Sequence, residues 1–443
     1  IQAINRKSSA GYPLAQETKK TGKHEYLGEN EEFIYDHPRL NELINEIVKA
    51  VEENKRPEVY FCVTMKDELK KLDKLLARIF AAGPLQYTVL FREQYLDYFA
   101  SMMEGRVLNT SLVGINMLSS DVDVLVRYLL EVTNPSFPAF LAGDFKNFDG
   151  TLMSCLLWEI YDVIEGFYGR QSDLTRALWL EITDSRQIFG NAVAHISKGQ
   201  PSGNPATTTI NTMYNSALLH MTISRILKEI NTKESLDIRS NLLYHYRLVV
   251  YGDDNLMSFS PSLCKILDPK ELTRVMAEFG HTYTNDAKDG KPLEYKFISE
   301  ISILKRTLSF DPIHGWIAPL DLVSILECLN WDKVPRSKME QKRAQTIVNM
   351  RVAIRELSLH TEEIFNKYRK LILISAERHG LELPPECMFS QDDLRSTVRF
   401  GDNLFYFSDD FNIIVDHKLR QGFYLEEVVN IPEIIFEDTW PHL

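Results

Sequence analysis

Residues 249–258 read VVYGDDNLMS, two β-prone runs joined by Gly-Asp-Asp. Glycine and aspartate supply the backbone conformations of a tight turn, so residues 242–250 and 255–260 are predicted to form a hairpin. Asp253 and Asp254 then admit two interpretations. As turn formers they need no further role. As a pair of carboxylates at a hairpin tip they are hard oxygen donors, suited to divalent cations in phosphoryl chemistry. Adjacent side chains of a regular strand face opposite ways, so the two cannot ligate equivalently unless the turn redirects one. Asp253 is expected to matter more.

Other segments offer compatible chemistry. The run PAFLAGDF reads as a short buried strand ending at Asp144, with Asp149 in the next turn facing the same crevice; helix capping is the plain alternative for both. The stretch KGQPSGNPATTTIN, residues 198–211, is a Gly/Pro-rich loop leading into a helix predicted over 206–228. Thr207 and Asn211 lie four apart and share a face of it. Such an N-terminus points amides and hydroxyls at a ribose or phosphate, or is simply a capped helix.

The formal charge is −12, which argues against a non-specific coat for nucleic acid. Its distribution is uneven. Residues 401–443 hold nine Asp/Glu against two Lys/Arg, a local −7, whereas Lys66, Lys70, Lys71, Lys74 and Arg78 place five cations within thirteen residues. That basic stripe suits a channel for phosphates, with a solvated charged helix the alternative for Lys70 to Lys74.

A length of 443 residues suggests roughly three subdomains. There is no internal repeat or Gly/Ser linker, and residues 319–380 carry an almost wholly helical pattern. No apolar run approaches the ~20 residues of a membrane span. The five cysteines are odd in number and never form C-x-x-C, so neither a disulfide framework nor a zinc ribbon is indicated, and a reducing intracellular compartment is the simple expectation. No His pair has zinc-ligand spacing and no P-loop is present, which leaves zinc hydrolases and P-loop helicases without support. The absence of an initial Met fits a processed product of a longer precursor or a trimmed piece of one.

Taken in chain order, Asp144 and Asp149, then Ser202-Gly203 with Thr207 and Asn211, then Tyr251-Gly252-Asp253-Asp254, Lys288 and Ile303-Leu304-Lys305-Arg306 resemble the palm motifs of viral RNA-dependent RNA polymerases. Ser8-Ser9-Ala10-Gly11-Tyr12-Pro13 and Lys66-Asp67-Glu68-Leu69-Lys70 look like fingers motifs of the picornavirus-like branch, with insect-infecting members the nearest likeness. The resemblance runs from about residue 8 to 308.

It implies an α+β right-hand fold: fingers from 1–105 and 151–201, an antiparallel-sheet palm from 106–150 and 202–310, and an enlarged helical thumb from 311–443. It further implies RNA-templated RNA synthesis with Mg²⁺, or Mn²⁺ in its place, held by Asp144, Asp253 and Asp254. Asp149 would pair with Asn211 to recognise the ribose 2′-hydroxyl. Ser202, Gly203 and Thr207 would contact template and incoming nucleotide, and Lys66, Lys70 and Arg78 would line nucleotide entry. Lys288 would protonate the departing pyrophosphate. Lys305 and Arg306 would support the primer, unless they are a surface turn pair, and Ser8 and Ser9 would contact primer or template.

The implied partners are template and primer RNA, ribonucleoside triphosphates, a protein primer unless initiation is de novo, and other viral replication proteins. Those proteins would bring the chain to membrane-associated replication complexes in the host cytoplasm without direct insertion. Family members carry a long segment before the Ser8 motif that bridges fingers to thumb, and this chain is expected to lack it. The acidic C-terminal stretch would contact a partner or cover part of the channel. A reverse transcriptase is disfavoured because that class places a bulky aromatic where Asp149 stands. A catalytically inactive RNA-binding scaffold is the alternative from another class.

Overall fold

A computed structural model of the protein describes residues 4–400, apart from 30–33, 35, 67, 69–76, 171, 287–289, 333, 335 and 336. Its first eight strands in chain order are β1 (Phe61–Met65), β2 (Ile79–Ala82), β3 (Phe140–Phe145), β4 (Ser185–Phe189), β5 (Ala192–Ile196), β6 (Tyr246–Tyr251), β7 (Asp254–Phe259) and β8 (Tyr283–Asn285). They form two four-stranded sheets, one in the order β2-β1-β4-β5 and one in the order β6-β7-β3-β8. The second is antiparallel throughout. Its central strand β3 is nearly all apolar because it is flanked on both edges and covered by helices, whereas Asp144, near its end, is only half-buried.

The predicted hairpin is β6 and β7, paired from Tyr246↔Phe259 to Tyr251↔Asp254. Its first strand begins later than the apolar pattern suggests, because Leu242–Tyr244 form a 3₁₀ turn. Val122, Leu125, Val126, Leu129 and Leu130 recur at helical spacing after Ser120, and the helix there spans Asp121–Leu130. The same spacing of Leu152, Leu156, Ile160, Val163 and Phe167 predicts a helix that stops near Gly169; it spans Ser154–Tyr168 and ends at Gly169 in the left-handed region with φ +62°. The Gly/Pro loop opens the helix Thr207–Ile230. The helical stretch of 319–380 resolves into Leu322–Glu327, Met339–Leu357 and Glu362–Arg378.

Beneath the sheets, the helix Leu85–Glu104 carries Tyr87, Phe91, Tyr95 and Phe99 at i, i+4, i+8 and i+12, one buried aromatic face. This row packs on Trp179 of the helix Asp173–Thr183, and the Tyr87 and Tyr95 hydroxyls donate to the carbonyls of Leu178 and Thr175 at 2.9 and 3.1 Å. Each ring therefore buries an apolar body while its polar tip stays bonded. Beside it lies an ion cluster. Arg56 reaches both Glu181 oxygens at 2.7 and 3.1 Å and Asp184 Oδ2 at 2.6 Å, while Arg186 reaches Glu181 at 3.4 Å. Burial pushes the Glu181 carboxyl up against the pull of Arg56 and Arg186.

The C-terminal helices close on a separate core of Ile325, Met350, Ile354, Leu357, Phe365, Ile372 and Leu394. We propose the fingers, palm and thumb division of the sequence reading for these regions. The separate core supports the thumb boundary, although the largest core runs unbroken from Ile47 to Leu293 and joins the first two. Among the described residues, no helix is long and apolar enough to cross a membrane.

Candidate active site

The register of β3 against β7 ends at Gly143↔Asn255. One further step places Asp144 opposite Asp254, and residues directly opposite in an antiparallel pair share a face of the sheet. Asp253 lies outside both strands, exposed in the turn, so the alternation that separates neighbouring strand side chains does not govern it. Asp144, 143 residues into the chain, and the hairpin tip thus meet at one end of the sheet.

The three carboxylates are hard donors at a tip open to solvent. Among the described residues no group of three or more His, Cys, Asp or Glu side chains forms a ready cage. Mg²⁺ is usually held by one or two carboxylates and completed by water and substrate phosphate oxygens, so this donor set fits Mg²⁺ or Mn²⁺ brought together with a nucleotide.

The strand under Asp144 is shaped by a glycine. A Cβ on Gly143 would lie 2.0 Å from Tyr283 Cζ, because the ring of Tyr283 from β8 covers that position. The Tyr283 hydroxyl donates to Asn255 Oδ1 at 2.7 Å, and Asn255 Nδ2 donates to the Gly143 carbonyl at 3.3 Å. Burial pushes the Tyr283 phenol up, so it stays a neutral donor. Gly143→Ala must displace a ring that is 1% exposed, and overpacking of this kind costs about 1–3 kcal/mol. We expect a lowered Tm in thermal denaturation together with reduced activity; an unchanged Tm would refute this packing argument.

Asp149 and Asn211 are brought together: Asn211 Nδ2 donates to Asp149 Oδ1 at 2.6 Å. The pair sits in a network that sequence reading missed. Gln200 Nε2 donates to Asn211 Oδ1 at 2.5 Å, and Asn204 Nδ2 donates to Gln200 Oε1 at 2.8 Å. Gln200 and Asn204 are buried amides, 7% and 6% exposed, and this chain orients the Asn211 amide with its nitrogen towards Asp149. Their signal in the sequence was polarity inside a loop that otherwise reads as Gly/Pro turn. Below, Tyr214 accepts from the Met153 N–H at 2.9 Å and donates to His281 Nε2 at 2.9 Å, which leaves His281 Nδ1–H to donate to Thr151 Oγ1 at 3.1 Å. Burial lowers the His281 pKa to about 4, so a neutral imidazole braces the turn that bears Asp149.

The remaining expected residues divide. Ser202 Oγ accepts from the Ala81 N–H of β2 at 3.3 Å. A Cβ on Gly203 would lie 2.2 Å from the Ala81 carbonyl, so this loop presses on the other sheet. Thr207 Oγ1 bonds the Ser202 and Asn204 carbonyls, both at 3.0 Å, and closes the loop on itself. Lys66 and Arg78 face each other at the mouth of the β1–β2 hairpin, where the Lys66 N–H donates to the Arg78 carbonyl at 2.8 Å and both cations approach Glu68, at 3.8 and 3.5 Å. Lys70 and Lys288 lie outside the described residues. Ser8 Oγ accepts from Lys23 Nζ, and Ser9 Oγ accepts from the Gly11 N–H at 3.1 Å, with both serines exposed.

Lys305 is exposed at the tip of a hairpin formed by β9 (Ser302–Ile303) and β10 (Arg306–Thr307), in a turn where Leu304 and Lys305 have φ of 52° and 60°. Arg306 departs from the expectation of a primer contact. Its guanidinium forms a fork with Glu356 at 2.9 and 2.7 Å and donates to the Ala318 carbonyl at 2.9 Å, half-buried against the helix Met339–Leu357. A bidentate partner with a fixed geometry outcompetes a solvent-facing pose, so Arg306 joins the hairpin to the C-terminal helices.

Comparison with known proteins adds four findings. The sequence profile of the viral RNA-dependent RNA polymerase family matches residues 1–374. The chain is 33% identical over 385 residues to the replicase polyprotein of Acute bee paralysis virus (strain Rothamsted), covering 84% of this chain and 20% of that one. It is 30% identical over 425 residues to the replicase polyprotein of Drosophila C virus (strain EB), covering 91% and 24%. The chain thus spans about a quarter or less of these relatives. Among solved structures, the Sicinivirus 3Dpol RNA dependent RNA polymerase superposes with a TM-score of 0.69 at 17% identity, over 89% of this chain and 77% of that one, a likeness of fold.

Proposed function

The chain belongs to the family of viral RNA-dependent RNA polymerases, and from that membership we propose that it extends RNA on an RNA template, replicating a viral genome. The single observation that carries the mechanistic reading is the β3–β7 register, which pairs Gly143 with Asn255 and, continued by one step, sets Asp144 opposite Asp254 beside the exposed Asp253. Bound Mg²⁺ or Mn²⁺ at these carboxylates would activate the primer 3′-hydroxyl and stabilise the leaving pyrophosphate. The chain's own residues do the positioning. Asp149 and Asn211, 2.6 Å apart, offer an acceptor and a donor to the ribose 2′-hydroxyl, which a deoxynucleotide lacks. Lys66 and Arg78 offer cations to the triphosphate, and Lys288 keeps the proton-donor assignment of its motif. Lys305 is the remaining cation of its motif for the primer strand.

Template and primer RNA, ribonucleotides and other viral replication proteins are the proposed partners, with attachment to cytoplasmic replication membranes through those proteins. The test is extension of a short RNA primer on an RNA template with ribonucleotides, with and without Mg²⁺ or Mn²⁺. Metal-dependent incorporation is expected, and RNA binding without nucleotide consumption would favour an inactive scaffold. Sugar choice tests the pairing: Asp149→Ala or Asn211→Ala should narrow the preference for ribonucleotides over deoxyribonucleotides by about tenfold, the scale of one lost hydrogen bond with its partner left unpaired. Unchanged discrimination would remove the pair from sugar recognition.

A further inference from the structure

One face of the helix Thr207–Ile230 reaches past Asn211 to the backbone of the Gly-Asp-Asp turn. The Gly252 N–H donates to Thr212 Oγ1 at 2.9 Å. Asn215 Nδ2 donates to the carbonyls of both Gly252 and Asp253, at 3.1 and 3.0 Å. Thr212 and Asn215 are both 0% exposed, and Asn215 Oδ1 is buried without a hydrogen-bond partner among the described residues. Orienting an amide so that both its protons serve one turn, at the cost of its own oxygen, is a poor solution for a side chain needed only to fill space.

The other side of the hairpin is held as well. The Leu112 N–H donates to the Val250 carbonyl and the Val250 N–H to the Thr110 carbonyl, both at 2.8 Å, so residues 110–112 act as a strap along the β6 edge. Two β-branched residues of this segment, Val107 and Thr110, sit at φ of 70° and 67°, in a region such side chains rarely occupy. Thr110 Oγ1 lies 3.2 Å from Ser216 Oγ, which returns the strap to the same helix one turn beyond Thr212. Strap, hairpin end and helix thus form one closed clamp around the turn.

We infer that Thr212 and Asn215 are positioning residues that hold the Gly252–Asp253 backbone in place for the carboxylates, and so set turnover without setting nucleotide affinity or sugar choice. The inference rests on the polymerase reading. It also assigns the helix two tasks on successive turns, sugar recognition at Asn211 and seating of the catalytic turn at Asn215.

Three variants test it. Thr212→Val keeps the shape but leaves the buried Gly252 N–H without its acceptor; Thr212→Ser restores a hydroxyl. Asn215→Asp replaces a donating amide by oxygens facing two carbonyls. In single-nucleotide extension, Thr212→Val and Asn215→Asp are expected to lower kcat ~10-fold or more, the effect of an unpaired buried group, with the nucleotide KM and the ribose-to-deoxyribose ratio within about twofold of wild type. Thr212→Ser is expected to stay near wild type. Hydrogen exchange of the segment 246–259 supplies a readout that does not need activity: exchange in the turn should accelerate ~10-fold in Thr212→Val and revert in Thr212→Ser. Wild-type kcat and exchange in Thr212→Val and Asn215→Asp would overturn the inference, as would losses that follow Tm and spread equally over kcat, KM and sugar choice. If the wild type itself extends no primer, the polymerase reading fails, and the exchange measurement still decides whether these side chains hold the turn.

Discussion

Alanine at Asp144 or Asp253 is expected to abolish primer extension, by ~10³-fold or more, or about 4 kcal/mol of barrier. The magnitude follows from where the carboxylates stand. Asp144 is half-buried at the end of a central strand, in the register position facing Asp254, and Asp253 is exposed at the adjoining turn. With few protein oxygens at the tip among the described residues, each supplies a large share of what a bound cation would receive, and lost charge stabilisation at a phosphoryl site is worth several kcal/mol. The fold should be indifferent, since neither substitution removes an apolar contact from the core. Extension within tenfold of wild type for either variant, with unchanged Tm, would exclude that aspartate from metal binding.

The second large effect concerns stability. Arg56→Ala removes the principal partner of Glu181, whose side chain is 0% exposed, and leaves Arg186 at 3.4 Å as its remaining cation there. Breaking a buried pair by deleting one member typically costs about 3–5 kcal/mol, because the other charge stays desolvated. A drop in Tm of at least ~5 °C at neutral pH is expected.

The pH dependence has a defined sign. Burial raises the folded-state pKa of Glu181 above its ordinary value of 4.5, and losing Arg56 raises it further. A carboxyl whose pKa is raised on folding holds its proton more tightly in the folded state, so stability falls as pH rises from 4.5 through the folded pKa and levels off above it. The variant's deficit should therefore shrink as pH is lowered towards 4.5, as followed by denaturant melts at several pH values. An equal deficit at all pH values would mean that lost packing, and not the stranded carboxylate, destabilises the variant.

What the sequence by itself determined is local or motif-borne. Alternation and turn chemistry marked the β6–β7 hairpin, since Gly-Asp between β-prone runs has few other solutions. The spacing of Leu152, Leu156, Ile160 and Val163 marked the helix Ser154–Tyr168, and Thr207 with Asn211 declared a shared face. The ordered motifs identified the family and, through it, the right-hand fold, which the structural likeness bears out.

Tertiary structure decided the rest, because the deciding interactions join residues far apart in the chain and depend on which face of an element is covered. Nothing around Arg306 announces Glu356 fifty residues later, yet that fork ties the guanidinium to the C-terminal helices. Thr212 and Asn215 read as indifferent polar positions on a long helix. Only the packing of that helix beneath the hairpin makes them its nearest hydrogen-bonding groups, and buried backbone N–H and C=O groups at a turn must find such partners.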